Sequence, residues 1–303
     1  MRRPFVCAFL GFFCVVSSCV HADEFDKQRA ALEAAYAPFQ HYSCTMHLIR
    51  YNKDEPAKLL TEATCCFERQ TVLTERGHRF WWHDVTETVT YPSAEIPASR
   101  VDMVTSVFAG GGPPTYILSY RSAYPPGKQH SGLIVTFQEP PFVRIYPENF
   151  MGYHYLNSSL AKKFPIEFSA PDDPNQCPDL LGFTMRYASS VNTVWFSSKD
   201  DFYPVISEYT HKGNSPITTT RRLLEQGRAV FRGESIRYPK RYIIETEGQE
   251  SPKTIEEVEV QAIQFLDFDP EYRPQITFPA GIVIWEEAKN AARTTIMNET
   301  YPK

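Results

Sequence analysis

Glycine is scarce in this 303-residue chain, with 14 against 24 prolines. Basic residues show no excess either: 31 Lys and Arg stand against 36 Asp and Glu, a net charge of −5. That balance argues against a nucleic-acid partner, because phosphate contacts need clustered Lys and Arg. Few glycines, many prolines and 14% aromatic residues suit short strands and rigid loops, not a helical bundle or a disordered chain. Beyond the apolar run Phe5–Val16, no segment is long and apolar enough to cross a membrane as a helix.

Motifs that carry chemistry are missing too. There is no G-x-S-x-G elbow, no H-E-x-x-H, no P-loop and no G-x-G-x-x-G, so neither a catalytic site nor a cofactor is expected. Gly110-Gly111-Gly112 runs into Pro113-Pro114 and not into a helix, which argues against a phosphate cradle. His78 and His83 are five residues apart, and on a strand they point to opposite faces, so no metal pair is expected there. Asp200 with Asp201, or Asp267 with Asp269, could serve glycoside hydrolysis only if two carboxyls were held across a cleft. Adjacent aspartates at a strand tip, and a pair flanking Pro270, read as turn residues instead.

What is present begins with a secretory pattern. Arg2 and Arg3 precede Phe5–Val16, and a short polar stretch ends at Ala22. Residues 1–22 read as a signal peptide cut between Ala22 and Asp23. An alternative cut treats Val16-Ser17-Ser18-Cys19 as a lipobox, with Cys19 lipidated. Either way export to the periplasm or beyond is expected, with membrane contact peripheral or through the lipid anchor.

Four of the seven cysteines lie beyond the leader: Cys44, Cys65, Cys66 and Cys177, an even number that suits an oxidising compartment. Tyr42–Tyr51 and Ala57–Arg69 read as an antiparallel pair. If Tyr51 faces Ala57, Cys44 faces Thr64, and a one-residue bulge would bring it opposite Cys65 or diagonal to Cys66. A disulfide from Cys44 to one of these is expected, with Cys177 available to the other. Adjacent cysteines lack the spacing of zinc ligands, so no metal is expected.

The clearest helix is Glu24–Gln40, with Phe25, Leu32, Tyr36 and Phe39 on one stripe. From Tyr42 to Tyr91 the pattern is strand after strand, with RFWWHDV and ETVTYP read as two separate strands. Ser99–Ala109 reads as a short helix, with Val101, Val104 and Phe108 on one face. A Pro-rich stretch, about 113–178, carries apolar runs, a helix over Asn149–Lys163 and a loop over Ala170–Pro178. Val191–Thr210 is a hairpin around Lys199-Asp200-Asp201, and Ala229–Thr246 holds two more strands. Ile255–Phe268 follows, and Ile276–Met297 reads as a last hairpin, with a helix as the alternative that its alanines permit. Trp81, Trp82, Trp195, Phe196 and Trp285 are core residues singly; as a set they are candidates to line an apolar ligand cavity.

Three stretches together resemble a known family. They are Val194-Trp195-Phe196…Asp201-Phe202-Tyr203-Pro204-Val205, then Gly233…Tyr238-Pro239-Lys240, then Phe278-Pro279-Ala280-Gly281. In that order, after an N-terminal amphipathic helix, they are similar to the LolA/LolB-type lipoprotein carriers and their large exported relatives of planctomycete type. The resemblance implies an α+β fold, mostly antiparallel: a strongly curved, incomplete β-barrel covered by a few helices. Residues 23–303 would be one such half-barrel domain, with the Pro-rich stretch inserted. It implies a non-enzymatic envelope protein holding a lipid or acyl chain, each buried methylene adding about 0.8 kcal/mol. The alternatives are an envelope module with a filled core and an envelope protein partner, or, without any motif to support it, an exported hydrolase.

Overall fold

A computed structural model of the chain describes residues 30, 37–74, 77–91, 99–109, 115–121, 129–135, 147, 166–169, 179–186, 188–201, 203–213, 215–248, 253–269 and 275–301. The first hairpin shows why strands form here. β1 (His41–Asn52) buries Tyr42, Cys44 and Met46 on one face, and β2 (Glu55–Thr74) answers with buried Cys65 and Phe67. A period of two puts one set of side chains on the core and the other on the far face. β3 (Gly77–Thr90), β4 (Ser99–Ala109), β5 (Thr115–Arg121) and β6 (Gln129–Val135) continue the meander, each antiparallel to the one before.

A second meander follows: β7 (Ile166–Ser169), β8 (Leu180–Arg186), β9 (Ser190–Ser197), β10 (Tyr203–His211), β11 (Ile217–Phe231), β12 (Glu234–Gly248) and β13 (Thr254–Phe265). The short strands β14 (Ile276–Phe278), β15 (Val283–Glu286), β16 (Ala291–Thr294) and β17 (Glu299–Tyr301) come last. Among the described residues fifteen strands form one curved sheet that does not close, ordered β16-β15-β6-β5-β4-β3-β2-β1-β13-β12-β11-β10-β9-β8-β7. The seam between the two meanders is β1–β13, where Tyr42 faces Phe265 and Asn52 faces Thr254, with a bulge between Thr45 and Met46. β14 and β17 pair separately.

The main core lies on one face of this seam. Tyr42, Phe67, Phe196, Tyr203, Tyr242, Val258 and Phe265 belong to it, joined by Phe39 from the 3-10 turn Ala37–Gln40. The rings of Phe39 and Tyr42 meet edge to face at 5.4 Å, Phe39 and Phe265 at 5.0 Å, and Tyr42 and Phe67 at 5.6 Å. Each such ring removed from water stabilises the fold by roughly 1.5–3 kcal/mol. A smaller core of Tyr116, Ile134, Ile276, Phe278, Ile282 and Ile284 holds the β4–β6 end.

Several expectations are corrected. Ser99–Ala109 is strand β4, not a helix: it pairs with β3 on one side and β5 on the other, and its β-branched residues outweigh the helical spacing of Val101, Val104 and Phe108. RFWWHDV and ETVTYP are one continuous strand, β3, paired with β2 along its whole length. Covering helices are not found among the described residues. Apart from single helical positions at Ala30 and Pro147, helix there amounts to the 3-10 turns Ala37–Gln40 and Glu287–Lys289. Asn149–Lys163, Ala170–Pro178 and most of Glu24–Gln40 lie outside the described residues.

The β1–β2 register also differs. Slips at Arg50/Tyr51 and Tyr51/Asn52 set Cys44 opposite Phe67 and Met46 opposite Cys65. Cys44 and Cys65 therefore share a buried face only diagonally, about 7–8 Å apart in such pairs, beyond the usual disulfide span. Cys66 points to the exposed face, and no disulfide joins the three described cysteines to one another. In the tail, β15 and β16 do form a hairpin around Ala288-Lys289-Asn290. Ile276–Phe278 is not part of it but pairs with β17, and β15 runs parallel to β6.

Candidate ligand slot

The β11–β12 hairpin outgrows the sheet. β11 pairs with β10 only as far as Arg222, and β12 pairs with β13 only from Arg241 onward. Residues 223–240 therefore continue as a two-stranded arm. Register shifts at Leu223/Glu225 and Glu225/Gln226 fall where it leaves the sheet, and bulges there bend a strand. Lys240 Nζ donates to Glu225 Oε1 across the bend at 2.6 Å. This contact, first among the causes, holds the Lys240 ammonium above its ordinary range.

Contacts at two places hold the arm to the body. Asp200, at the tip of the β9–β10 hairpin, accepts from Arg237 Nη1 at 2.9 Å and from Gln226 Nε2. The Arg237 guanidinium lies 4.8 Å over the ring of Tyr203, whose phenol burial pushes far up. At the arm's end, Phe231 meets Phe265 at 6.2 Å between ring centroids. Arg232 gives Nε and Nη2 to Asp267 Oδ1 at 2.9 and 2.6 Å. Gly227 permits the arm's own packing: a β-carbon there would lie 2.3 Å from Tyr238 Cζ.

Under the arm's end lies a slot of about 390 Å³. Pro38, Phe231, Ile236, Leu266 and Phe268 form apolar walls, and Gln40, His41, Arg232 and Glu234 supply the polar groups. The far wall is pinned from β1 and β2. Leu266 N donates to His41 O at 2.9 Å, and His41 Nδ1 donates to Asp267 O at 2.6 Å. Gln70 Nε2 donates to Asp269 O at 2.5 Å. Imidazole Nε2 of His41 lies 2.9 Å from Glu68 Oε1. The volume falls in the range of small-molecule sites, with mostly apolar walls and a few convergent polar groups.

A wider groove of about 490 Å³ crosses the opposite face beside the Thr45/Met46 bulge. Its lining includes Ser43, Thr45, Cys66, Val85, Ala262 and Gln264, which share the solvent-facing side of four neighbouring strands. Among the described residues it is a furrow on the sheet surface, with no roof comparable to the arm. Among the described residues no group of three or more His, Cys, Asp or Glu is placed to hold a metal ion. No helix among them is long and apolar enough to cross a membrane, a statement about helices alone.

Of the aromatic candidates, Phe196, Trp195 and Trp285 do not line the slot. Phe196 is wholly buried against Phe183, 5.3 Å between centroids. Trp195, on the other face of β9, donates its indole N–H to Glu208 Oε2 at 3.3 Å. Trp285 is 42% exposed on β15. Trp81 and Trp82 sit on β3 opposite Phe108 and Val107, with their side chains outside the described residues. Cys19, Ala22, Asp23 and Cys177 lie outside as well. Asp267 is the partner of Arg232, and Asp200 and Asp201 form the β9–β10 turn, Asp201 at φ 46°.

Residues the sequence reading passed over are Pro38, Arg232, Ile236 and Leu266. The one available signal was Arg232-Gly233 between two strand-like runs, which marks the sharp turn at the arm's end.

The fold and slot define an open, curved antiparallel sheet with a ligand-sized recess beside its central seam. No protein-family model matches the chain, and no curated protein sequence matches it. Among solved structures the chain is similar to a LolA superfamily protein from Nitrosomonas europaea: 11% identity, 80% of this chain and 95% of that one covered, TM-score 0.41. It is also similar to a DUF1329 family protein from Desulfovibrio piger: 10% identity, 81% and 95% covered, TM-score 0.41.

Proposed function

We propose that this is an exported, non-enzymatic envelope protein that holds the apolar chain of a lipid in the slot beneath the β11–β12 arm. The observation that carries this reading is the slot itself, with Phe231, Ile236, Leu266 and Phe268 walling a recess at the edge of the main core. Phe268 is 44% exposed although it stands beside that core, as a wall waiting for an apolar occupant would be. Each methylene taken from water would add about 0.8 kcal/mol. The test is mass spectrometry of organic extracts from the purified protein, with Nile red titration alongside. Co-purifying lipid and saturable dye binding that falls in Ile236→Glu support the reading. No lipid and no dye binding would sink it.

A second reading, an envelope module with a filled interior, is favoured by one observation. Tyr42, Phe196, Tyr203 and Tyr242 are at most 1% exposed, so the main core is filled by side chains at these positions. Dye binding untouched by Ile236→Glu would favour this alternative. Export is proposed by cleavage between Ala22 and Asp23, or by lipidation at Cys19. N-terminal sequencing of the secreted chain and palmitate labelling of Cys19→Ser separate the two.

A further inference from the structure

The mouth of the slot carries opposite charges on a single tight turn. Arg232 sits at φ 52° and Gly233 at φ 84°, the paired left-handed conformations of a two-residue hairpin turn. Glycine and asparagine are the ordinary first residues of such a turn. A long side chain held there is strained, and strain of this kind clusters at ligand clamps and other functional sites. The Arg232 guanidinium lies 5.2 Å over the Phe231 ring, at the slot's entrance. Both of its described hydrogen bonds, from Nε and Nη2, land on one oxygen of Asp267, so Nη1 faces away from that pair. Glu234, two residues on and exposed, lines the same slot.

This pattern discriminates between head groups. A purely anionic head reaching Arg232 meets the carboxylates of Glu234 and Asp267. A purely cationic head reaching Glu234 comes beside Arg232, whose charge Asp267 offsets only through Nε and Nη2, on the side away from Nη1. A head carrying both charges satisfies each. Resting on the slot reading above, we propose that the ligand is a zwitterionic amphiphile. Its chain lies between Phe231, Ile236, Leu266 and Phe268, its anionic group on Arg232 and its cationic group on Glu234.

Isothermal titration of the full chain with four twelve-carbon probes below their micelle concentrations tests this: dodecylphosphocholine, dodecanoate, dodecyltrimethylammonium and dodecan-1-ol. The zwitterion is expected to bind tightest. Arg232→Gln and Glu234→Gln should each weaken it about tenfold while leaving dodecan-1-ol unchanged. Arg232→Gly should raise the melting temperature, because the strain is relieved, yet weaken the zwitterion as Arg232→Gln does. That split is not expected of a merely structural arginine. Binding of dodecanoate or the trimethylammonium probe as tight as the zwitterion, or indifference of the zwitterion to both charge substitutions, overturns the head-group assignment and leaves the slot standing. Absence of binding by all four overturns the slot reading and the head-group assignment together.

Discussion

Arg237 and Asp200 join two hairpins that the sequence separates by 37 residues: Nη1 of the one lies 2.9 Å from Oδ1 of the other, and 3.1 Å from its carbonyl oxygen. The aspartate at the β9–β10 tip thereby acts as a clamp on the arm. Asp200→Ala is expected to cost about 1 kcal/mol, because the pair is partly solvated. Amide exchange across Ala229–Tyr238 should accelerate much more than in β1 or β13. Uniform acceleration throughout the sheet would rule the clamp out.

Tyr203 buries its hydroxyl without a hydrogen-bond partner among the described residues, while Arg237 covers its ring. A buried hydroxyl that makes no bond costs free energy. Tyr203→Phe should therefore be neutral or stabilising by up to about 1 kcal/mol in urea unfolding. A loss of more than that would mean the hydroxyl has a bound partner in solution.

Gly227 lies beneath the Tyr238 ring, with no room for a methyl group. Gly227→Ala is expected to destabilise by roughly 1–3 kcal/mol through overpacking. Combining it with Tyr238→Ala should cost less than the sum of the two single changes, since the obstruction is then gone. Strict additivity would place the effect in the backbone instead.

Glu286 accepts from Lys289 first and from Arg293 Nε at 2.6 Å second, and these contacts hold its carboxyl below the ordinary 4.5. A carboxylate with a depressed folded-state pKa stabilises the fold above its unfolded value and loses that contribution as pH falls through the folded one. Thermal unfolding between pH 6 and pH 3 should show a stability gap between the wild type and Glu286→Gln that is constant above about pH 5 and shrinks below 4.5. A gap that stays constant to pH 3 would contradict the ion pairs.

Cys66 is exposed, whereas Cys44 and Cys65 are 3% and 2% exposed. In a chain starting at Asp23 and carrying Cys177→Ser, one thiol should react promptly with a disulfide reagent and two more only on unfolding. Finding a single reactive thiol after denaturation without reductant would show that a Cys44 disulfide forms after all.

The strands were legible wherever alternation and composition agreed, as in His41–Asn52 and the Val191–Thr210 hairpin; over Ala229–Thr246 the second strand was read, but the first begins far earlier, at Ile217. Ser99–Ala109 misled because three apolar residues at helical spacing also fit a strand flanked on both sides, and only neighbours in space decide between them. The cysteine register was beyond reach for a related reason: slips at Arg50–Asn52 depend on the turn, not on the cysteines. The slot was the least legible feature. Its walls come from three segments far apart in sequence, and its outline depends on where β11 and β12 part from the sheet. Trp195 and Trp285, which composition made conspicuous, do not line it.

The β1–β13 seam has a consequence for how the chain reaches its native state. Tyr42 waits for Phe265, 223 positions later, before the middle of the sheet exists. Until then β1, with Tyr42, Leu48 and Tyr51, and β13, with Val258, Val260 and Phe265, are unpaired inner borders, and contacts this remote are slow to form. A molecule that cannot complete its centre until its last fifth has emerged stays threadable for a long time. It is also open to capture by a chaperone at two borders that vanish together when the seam closes.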